Sequence, residues 1–342
     1  MNYFLTIIPI LILSGIILIG VRKTNQTHEF FSYEYTNAIK AIACIIVIYV
    51  HVPSMYSNRL QDMVGSFAYV GVFSFFLISA YGCRYKVDKD QEYLTGFLKK
   101  RLIALLVPAL VINTISFTLS YLYMNELAWK KLYMIDRYVY AIIVAYIVFY
   151  LVWKCNKIAY QYKDLYVCCG CLLLSLITYF SSINPFFIWP TESIGFVFGV
   201  LLYRYKNKLL NILSGRQLTY ELCFLGTSLL LGIVYLKTKH VFFWGGLLIR
   251  VFLALSLLVL AFAFTIKVKF CGRGLAILGK CSYAVYLVHP VVIAFICQRM
   301  TDMTSGGFVL TVVMCTVGIS IVVTFLSNKL INCLLMLGGK NG

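Results

Sequence analysis

Lys40 and His51 lie eleven residues apart, and no other charged residue stands between them. At about 100° per residue, eleven steps leave an offset of about 20°, so both side chains project from one helix face, about 16 Å apart along the axis. An imidazole can take a proton from an alcohol, and a lysine can bind an anion. The spacing therefore fits catalysis, but a lysine reaching toward an interface and a histidine at a helix end before Pro53 would give the same pattern.

Glu192 is the one carboxylate that the pattern sets within an apolar stretch, just after Trp189 and Pro190. An ionisable residue in such a stretch is a candidate functional residue. Its carboxylate could orient an imidazole or a sugar hydroxyl. A glutamate at the level of lipid headgroups, marked by the nearby tryptophan, is an equally good interpretation.

Ser282, Tyr286 and His289 are spaced i, i+4 and i+7, which places them on one stripe of a helix. Three polar groups on one stripe are expected to face protein or a cavity rather than lipid. Pro290 has no N–H to donate, so we also expect a break in the backbone hydrogen bonds near His289.

A basic run at Lys99, Lys100 and Arg101 precedes Pro108, and Ser79 is a small residue in an apolar stretch. The basic run could bind the phosphates of a nucleotide-type molecule, or it could anchor the membrane topology. Ser79 is suited to close helix packing. The cysteines lack the paired spacing of zinc sites, so no metal site is predicted.

The composition indicates a membrane protein. Of 342 residues, 61% are hydrophobic and only 12% are charged, whereas soluble domains are about 45–50% apolar and about 25% charged. The formal net charge of +18 is spread in short clusters between apolar runs. That distribution is typical of membrane topology rather than of a nucleic-acid-binding surface, so no nucleic-acid partner is predicted.

Apolar stretches of about twenty residues predict an all-α integral membrane protein with a bundle of about ten to eleven transmembrane helices. The loops richer in Lys and Arg alternate with poorer ones, which predicts a multi-pass protein of the cytoplasmic (inner) membrane with its N-terminus outside and its C-terminus in the cytoplasm. The predicted spans are 3–21, 37–56, 67–83, 103–124, 137–153, 165–182, 186–203, 221–236, 246–266, 282–298 and 307–328.

Four stretches, in this order, make the chain resemble the acyltransferase family 3 membrane proteins, which acylate surface polysaccharides and related glycans. The likeness runs from about residue 33 to 328, and it divides the chain into an additional N-terminal helix with a basic linker (1–30) and an acyltransferase-like membrane domain (31–342). The four stretches are Lys40 to His51, Gly71 to Tyr81, Phe97 to Pro108, and Ser282 to Pro290.

The resemblance implies transfer of an acyl group, usually acetyl, from cytoplasmic acetyl-CoA to a hydroxyl of a glycan on the outer side. It implies His51 as the catalytic residue, with Lys40 and Arg101 near the donor. Membrane lipids and the polysaccharide assembly machinery are expected partners, and the oligomeric state stays open. The chain departs from the family pattern at Lys40, where Arg is more usual, and at Phe73, Ala80 and Ala104.

Two other classes of function are compatible with many helices. A transporter or flippase for a lipid-linked glycan would explain the helix count and the charged ends, but it gives no reason for a basic residue and a histidine on one helix face, and no inverted repeat is evident. A membrane glycan polymerase would be expected to carry acidic residues or arginine pairs in large outer loops, whereas the predicted outer loops are short.

Overall fold

A computed structural model describes residues 3–24, 30–90, 92–124, 127–181, 190–300 and 302–339. The described residues form helices, apart from loops and a two-stranded ribbon of β1 (Val21–Lys23) and β2 (Val268–Phe270). The helices are α1 (Tyr3–Ile19), α2 (Tyr33–Val50), α3 (Arg59–Gly65), α4 (Ala68–Lys89), α5 (Phe97–Met124), α6 (Lys130–Tyr133), α7 (Arg137–Lys154), α8 (Tyr160–Phe180), α9 (Pro190–Gly215), α10 (Gln217–Thr238), α11 (Arg250–Thr265), α12 (Arg273–Arg299) and α13 (Ser305–Gly339).

The predicted all-α membrane bundle is confirmed. In the described ranges, nine helical segments are long and apolar enough to cross a membrane. The other two predicted spans also coincide with helices: α1 is a shorter apolar helix of 17 residues, and α9 has 26 residues with Glu192 in its first turn. Two pieces of predicted spans lie outside the described part of the chain. They are residue 182, which ends the span 165–182, and residues 186–189, which begin the span 186–203 and include Trp189.

The ribbon joins two loops that the charge pattern placed on the same side of the membrane. Val21 pairs with Phe270 and Lys23 with Val268 in antiparallel register. Eight of the predicted spans lie between these two loops, and an even number of crossings returns the chain to the side from which it started. The pairing therefore agrees with the predicted alternation of the loops.

Small residues let the helices around α2 approach closely. A Cβ atom on Gly71 of α4 would meet Ala43 of α2, and one on Gly279 of α12 would meet Asn37 of α2. Close backbone approach at small residues is the usual means of helix packing in membranes, where lipid removes most of the hydrophobic drive. Thus α2 is held between α4 and α12.

The contact between α4 and α9 depends on Gly195 and Gly199, which are spaced as a G-x-x-x-G pair. A Cβ atom on Gly195 would collide with the backbone of Phe73, and one on Gly199 with the backbone of Leu77. Backbone cannot move aside as a side-chain end can. This pair of glycines therefore sets the position of α9, which carries Glu192 at its N-terminal end.

The N-terminal helix packs against the rest of the bundle. The Tyr49 hydroxyl in α2 donates to the backbone carbonyl of Thr6 in α1 at 2.5 Å. The Asn58 side-chain amide, just before α3, donates to the Thr6 hydroxyl at 2.9 Å. Thr6 is fully buried, so these bonds satisfy its polar atoms inside the protein.

We predict that Gly199→Ala destabilises the protein by about 1–3 kcal/mol, the usual effect of overpacking a well-packed site. The physical reason is the collision of the new methyl group with the Leu77 backbone. The matched control is Gly226→Ala in α10, where a Cβ atom meets nothing within 4 Å. The midpoint of thermal unfolding in detergent measures both, and equal midpoints for the two variants would contradict the packing described above.

Candidate active site

Two cavities open beside α2, one at each end of the segment between Lys40 and His51. The first, of about 220 Å³, is lined by Lys40 together with residues of α4, α5, α7 and α12; we call it the lysine cavity. The second, of about 660 Å³, is lined by His51 together with residues of α3, α4, α8, α9, α10, α11 and α12; we call it the histidine cavity. The helix thus places the two side chains in the walls of two different cavities.

The His51 ring is oriented by a backbone carbonyl. His51 is the residue that ends α2, and its Nδ1 lies 2.8 Å from the carbonyl oxygen of Val47. A carbonyl only accepts hydrogen bonds, so Nδ1 must carry the proton. The neutral ring then has an unprotonated Nε2, which is the form that a general base requires.

His289 lies directly against His51. The two rings have centroids 4.6 Å apart and are inclined by 56°. His289 is only 2% exposed, and its Nδ1 lies 3.3 Å from the carbonyl oxygen of Val285. Because Pro290 has no N–H, the backbone of α12 lacks the bond that would end at the Tyr286 carbonyl, and the His289 ring also interacts with that carbonyl.

The helix α12 continues through Pro290 without interruption, so the expected break is limited to the missing hydrogen bond. The stripe of Ser282, Tyr286 and His289 faces the interior of the bundle, and all three residues are buried. Ser282 and Tyr286 line the lysine cavity. Tyr286 lines the histidine cavity as well.

Basic residues lie beside the lysine cavity. Arg101 donates to the Tyr93 hydroxyl at 2.5 Å, and its guanidinium lies 5.1 Å from the centre of the Tyr146 ring, which lines the cavity. Burial raises the pKa of Tyr93, so its phenol stays neutral. Lys99 and Lys100, by contrast, are exposed on the first turn of α5, where they can meet a soluble anion but do not line the cavity.

Ser79 is part of the wall of the lysine cavity. Its hydroxyl lies within hydrogen-bonding reach of the phenols of Tyr138 and Tyr146. A small hydroxyl residue at this place in α4 therefore does more than allow close packing. It gives two buried tyrosines on α7 a polar partner.

Glu192 lies on the wall of the histidine cavity but forms an ion pair with Arg250 rather than with His51. The Arg250 guanidinium also lies over the Tyr69 ring, 4.5 Å from its centre. The carboxylate is thus directed at a cation. Through its place in the wall, the Glu192–Arg250 pair adds a polar surface to the cavity that holds His51.

A profile of the acyltransferase domain of family 3 matches residues 33–327. The chain belongs to acyltransferase family 3. The matched range includes both cavities and every candidate residue named above, and it begins after α1. No curated protein and no solved structure matches the chain.

Membership of the family makes this chain a membrane acyltransferase, an enzyme that uses an acyl donor. Within the described ranges, no group of three or more His, Cys, Asp or Glu side chains is placed to hold a metal ion.

Two residues of this acyltransferase's site were missed at the level of sequence. Arg250 lies inside the predicted span 246–266, and the rule that singles out ionisable residues in a span would have identified it. Asp136 precedes α7 and accepts at Oδ1 from the Tyr138 backbone N–H and from the Tyr286 hydroxyl, each at 2.7 Å. No sequence spacing relates Asp136 to Tyr286, because a tertiary contact joins them.

We predict that Glu192→Gln lowers the stability of the acyltransferase by about 1–3 kcal/mol, because the substitution leaves the Arg250 guanidinium without its counter-charge in a largely buried place. The control is Glu92→Gln, which changes an exposed carboxylate. Thermal unfolding in detergent compares them. If Glu192→Gln unfolds at the same temperature as Glu92→Gln, the ion pair contributes no stability.

Proposed function

We propose that this acyltransferase moves an acetyl group from acetyl-CoA to a hydroxyl of a cell-surface or lipid-linked polysaccharide. The observation that carries the proposal is the orientation of the His51 ring. Its Nδ1–H is bound to the Val47 carbonyl, and the ring lies on the wall of the large histidine cavity. A hydroxyl of an acceptor in that cavity can meet the other ring nitrogen, Nε2.

The donor is proposed to approach from the lysine cavity. With about 220 Å³, that cavity suits the thioester end of acetyl-CoA rather than the whole molecule. The phosphates then remain outside, near the exposed Lys99 and Lys100, with Arg101 and Lys40 nearer the cavity. Arginine and lysine are the residues that most often bind phosphate.

In the proposed reaction, His51 Nε2 takes the proton of the acceptor hydroxyl while the oxygen attacks the thioester carbonyl. The new C–O bond forms, the C–S bond breaks, and the leaving thiolate takes a proton from the imidazolium. An acyl group carried first on Nε2 would use the same nitrogen. Both routes depend on a neutral ring held by Val47.

The histidine cavity is proposed to hold the glycan. Its wall contains the Glu192–Arg250 pair and the phenols of Tyr69, Tyr179 and Tyr235. Charged and phenolic groups of this kind can exchange hydrogen bonds with sugar hydroxyls. The membrane separates the cytoplasmic donor from the outer acceptor in this proposal, so the predicted orientation of the N- and C-termini forms part of it.

We predict that His51→Ala reduces acetylation by about 10²–10⁴-fold, the range that general acid–base catalysis supplies. Membranes from cells lacking the gene, complemented with each variant, are given labelled acetyl-CoA, and label in the glycan is counted. His240→Ala is the control, since His240 is exposed and lies in a loop. Near-normal labelling by a stably inserted His51→Ala protein would exclude His51 as the general base. Movement of glycan across the membrane without any acyl donor would instead favour a transporter.

We predict that Lys40→Met raises the KM for acetyl-CoA by about 10–100-fold, the equivalent of one hydrogen bond to a charged group. The kcat should change less, because Lys40 lines the lysine cavity and His51 lines the other. Lys329→Met, at an exposed position of α13, is the control. An unchanged KM would remove Lys40 from the donor site.

A further inference from the structure

Tyr286 forms part of the wall between the two cavities. Among the described residues, it is the one that lines both the lysine cavity and the histidine cavity. Its side chain is buried, with 6% exposure. A group passing from the Lys40 side to the His51 side must therefore pass this ring.

The ring is held in place on three sides. Its hydroxyl donates to Asp136 Oδ1 at 2.7 Å, an oxygen that also accepts the Tyr138 backbone N–H. Its centre lies 5.1 Å from that of the Tyr138 ring and 5.7 Å from that of His289. A hydrogen bond to a carboxylate is stronger than one between neutral groups, so Asp136 fixes the ring between the cavities.

We propose that Tyr286 determines which acyl groups this acyltransferase transfers. The inference rests on the proposed function, in which the thioester lies on the lysine side and the acceptor hydroxyl beside His51. The ring limits the space in which the acyl group meets the hydroxyl. A two-carbon acetyl group fits beside it, and each further methylene meets the ring or displaces it from Asp136.

The neighbouring Tyr283 gives a matched comparison. Tyr283 is on the same helix and lines the lysine cavity, and its hydroxyl donates to the Leu105 carbonyl at 2.8 Å. It does not line the histidine cavity. Shortening Tyr283 therefore enlarges the donor side without joining the two spaces, whereas shortening Tyr286 joins them.

The test compares acetyl-, propionyl-, butyryl- and hexanoyl-CoA as donors for the full-length protein in native membranes. Release of the CoA thiol and transfer of label to glycan are measured together.

For Tyr286→Ala, the ratio of butyryl to acetyl transfer should rise at least about tenfold, since one methylene changes selectivity by about 10–200-fold. Tyr286→Phe keeps the ring but loses the bond to Asp136, so its ratio should lie between wild type and Tyr286→Ala. Tyr283→Ala enlarges only the donor side, so its ratio should rise much less than that of Tyr286→Ala.

An unchanged ratio in an active Tyr286→Ala protein would overturn the proposal, and so would a wild type that uses butyryl-CoA as well as acetyl-CoA. If Tyr286→Ala transfers no acyl group, competition between acetyl- and hexanoyl-CoA for the purified variant replaces the rate measurement, and unchanged relative affinities overturn the proposal equally. Failure of the proposed function gives a different result, because wild type would then consume none of the four donors.

Discussion

A polar group inside a lipid bilayer has no water to bind, so it must find its partner within the protein. Three residues of the candidate site show this constraint most clearly. His51 uses the Val47 carbonyl, Tyr286 uses Asp136, and Glu192 uses Arg250. Because each partner is part of the protein, the orientation of each side chain is set before any substrate binds. The interactions that allow these polar groups to be buried therefore also fix the position of each side chain.

The packing of the helices also determines where the two cavities lie. The glycines of α4 and α12 bring these helices close to α2, and those of α9 bring it close to α4, whereas larger side chains line the cavities. Tyr138 and Tyr286 are such side chains, with ring centres 5.1 Å apart. The result is a pair of small spaces with polar walls inside an otherwise close-packed bundle. A cavity of this kind needs both small and large residues, since glycine alone would let the helices close it.

Local patterns account for what could be predicted from the sequence. Length and hydropathy located the helices, and helical periodicity placed Ser282, Tyr286 and His289 on one interior stripe, because these properties depend only on neighbours along the chain. Arg84 shows what such local patterns cannot predict. It directly follows the predicted span 67–83, where a charge at the membrane surface is expected, yet it is buried, bonded to Asp164 at 2.7 Å and placed over the Trp153 ring. Asp164 and Trp153 come from other helices, and the partners of Glu192 and Tyr286 are likewise far away along the chain. No spacing in one chain segment encodes such contacts.

The ribbon of β1 and β2 also bears on the order of folding. Lys23 pairs with Val268, so the ribbon joins two segments that lie far apart in the chain. During synthesis from the N-terminus, the first strand has no partner until the chain beyond α11 has been made. The helix α12, which supplies Tyr286 and His289, follows directly after that point. Both cavities therefore lack a wall until α12 has been made, and a chain truncated before α12 is a bundle in which neither cavity is complete.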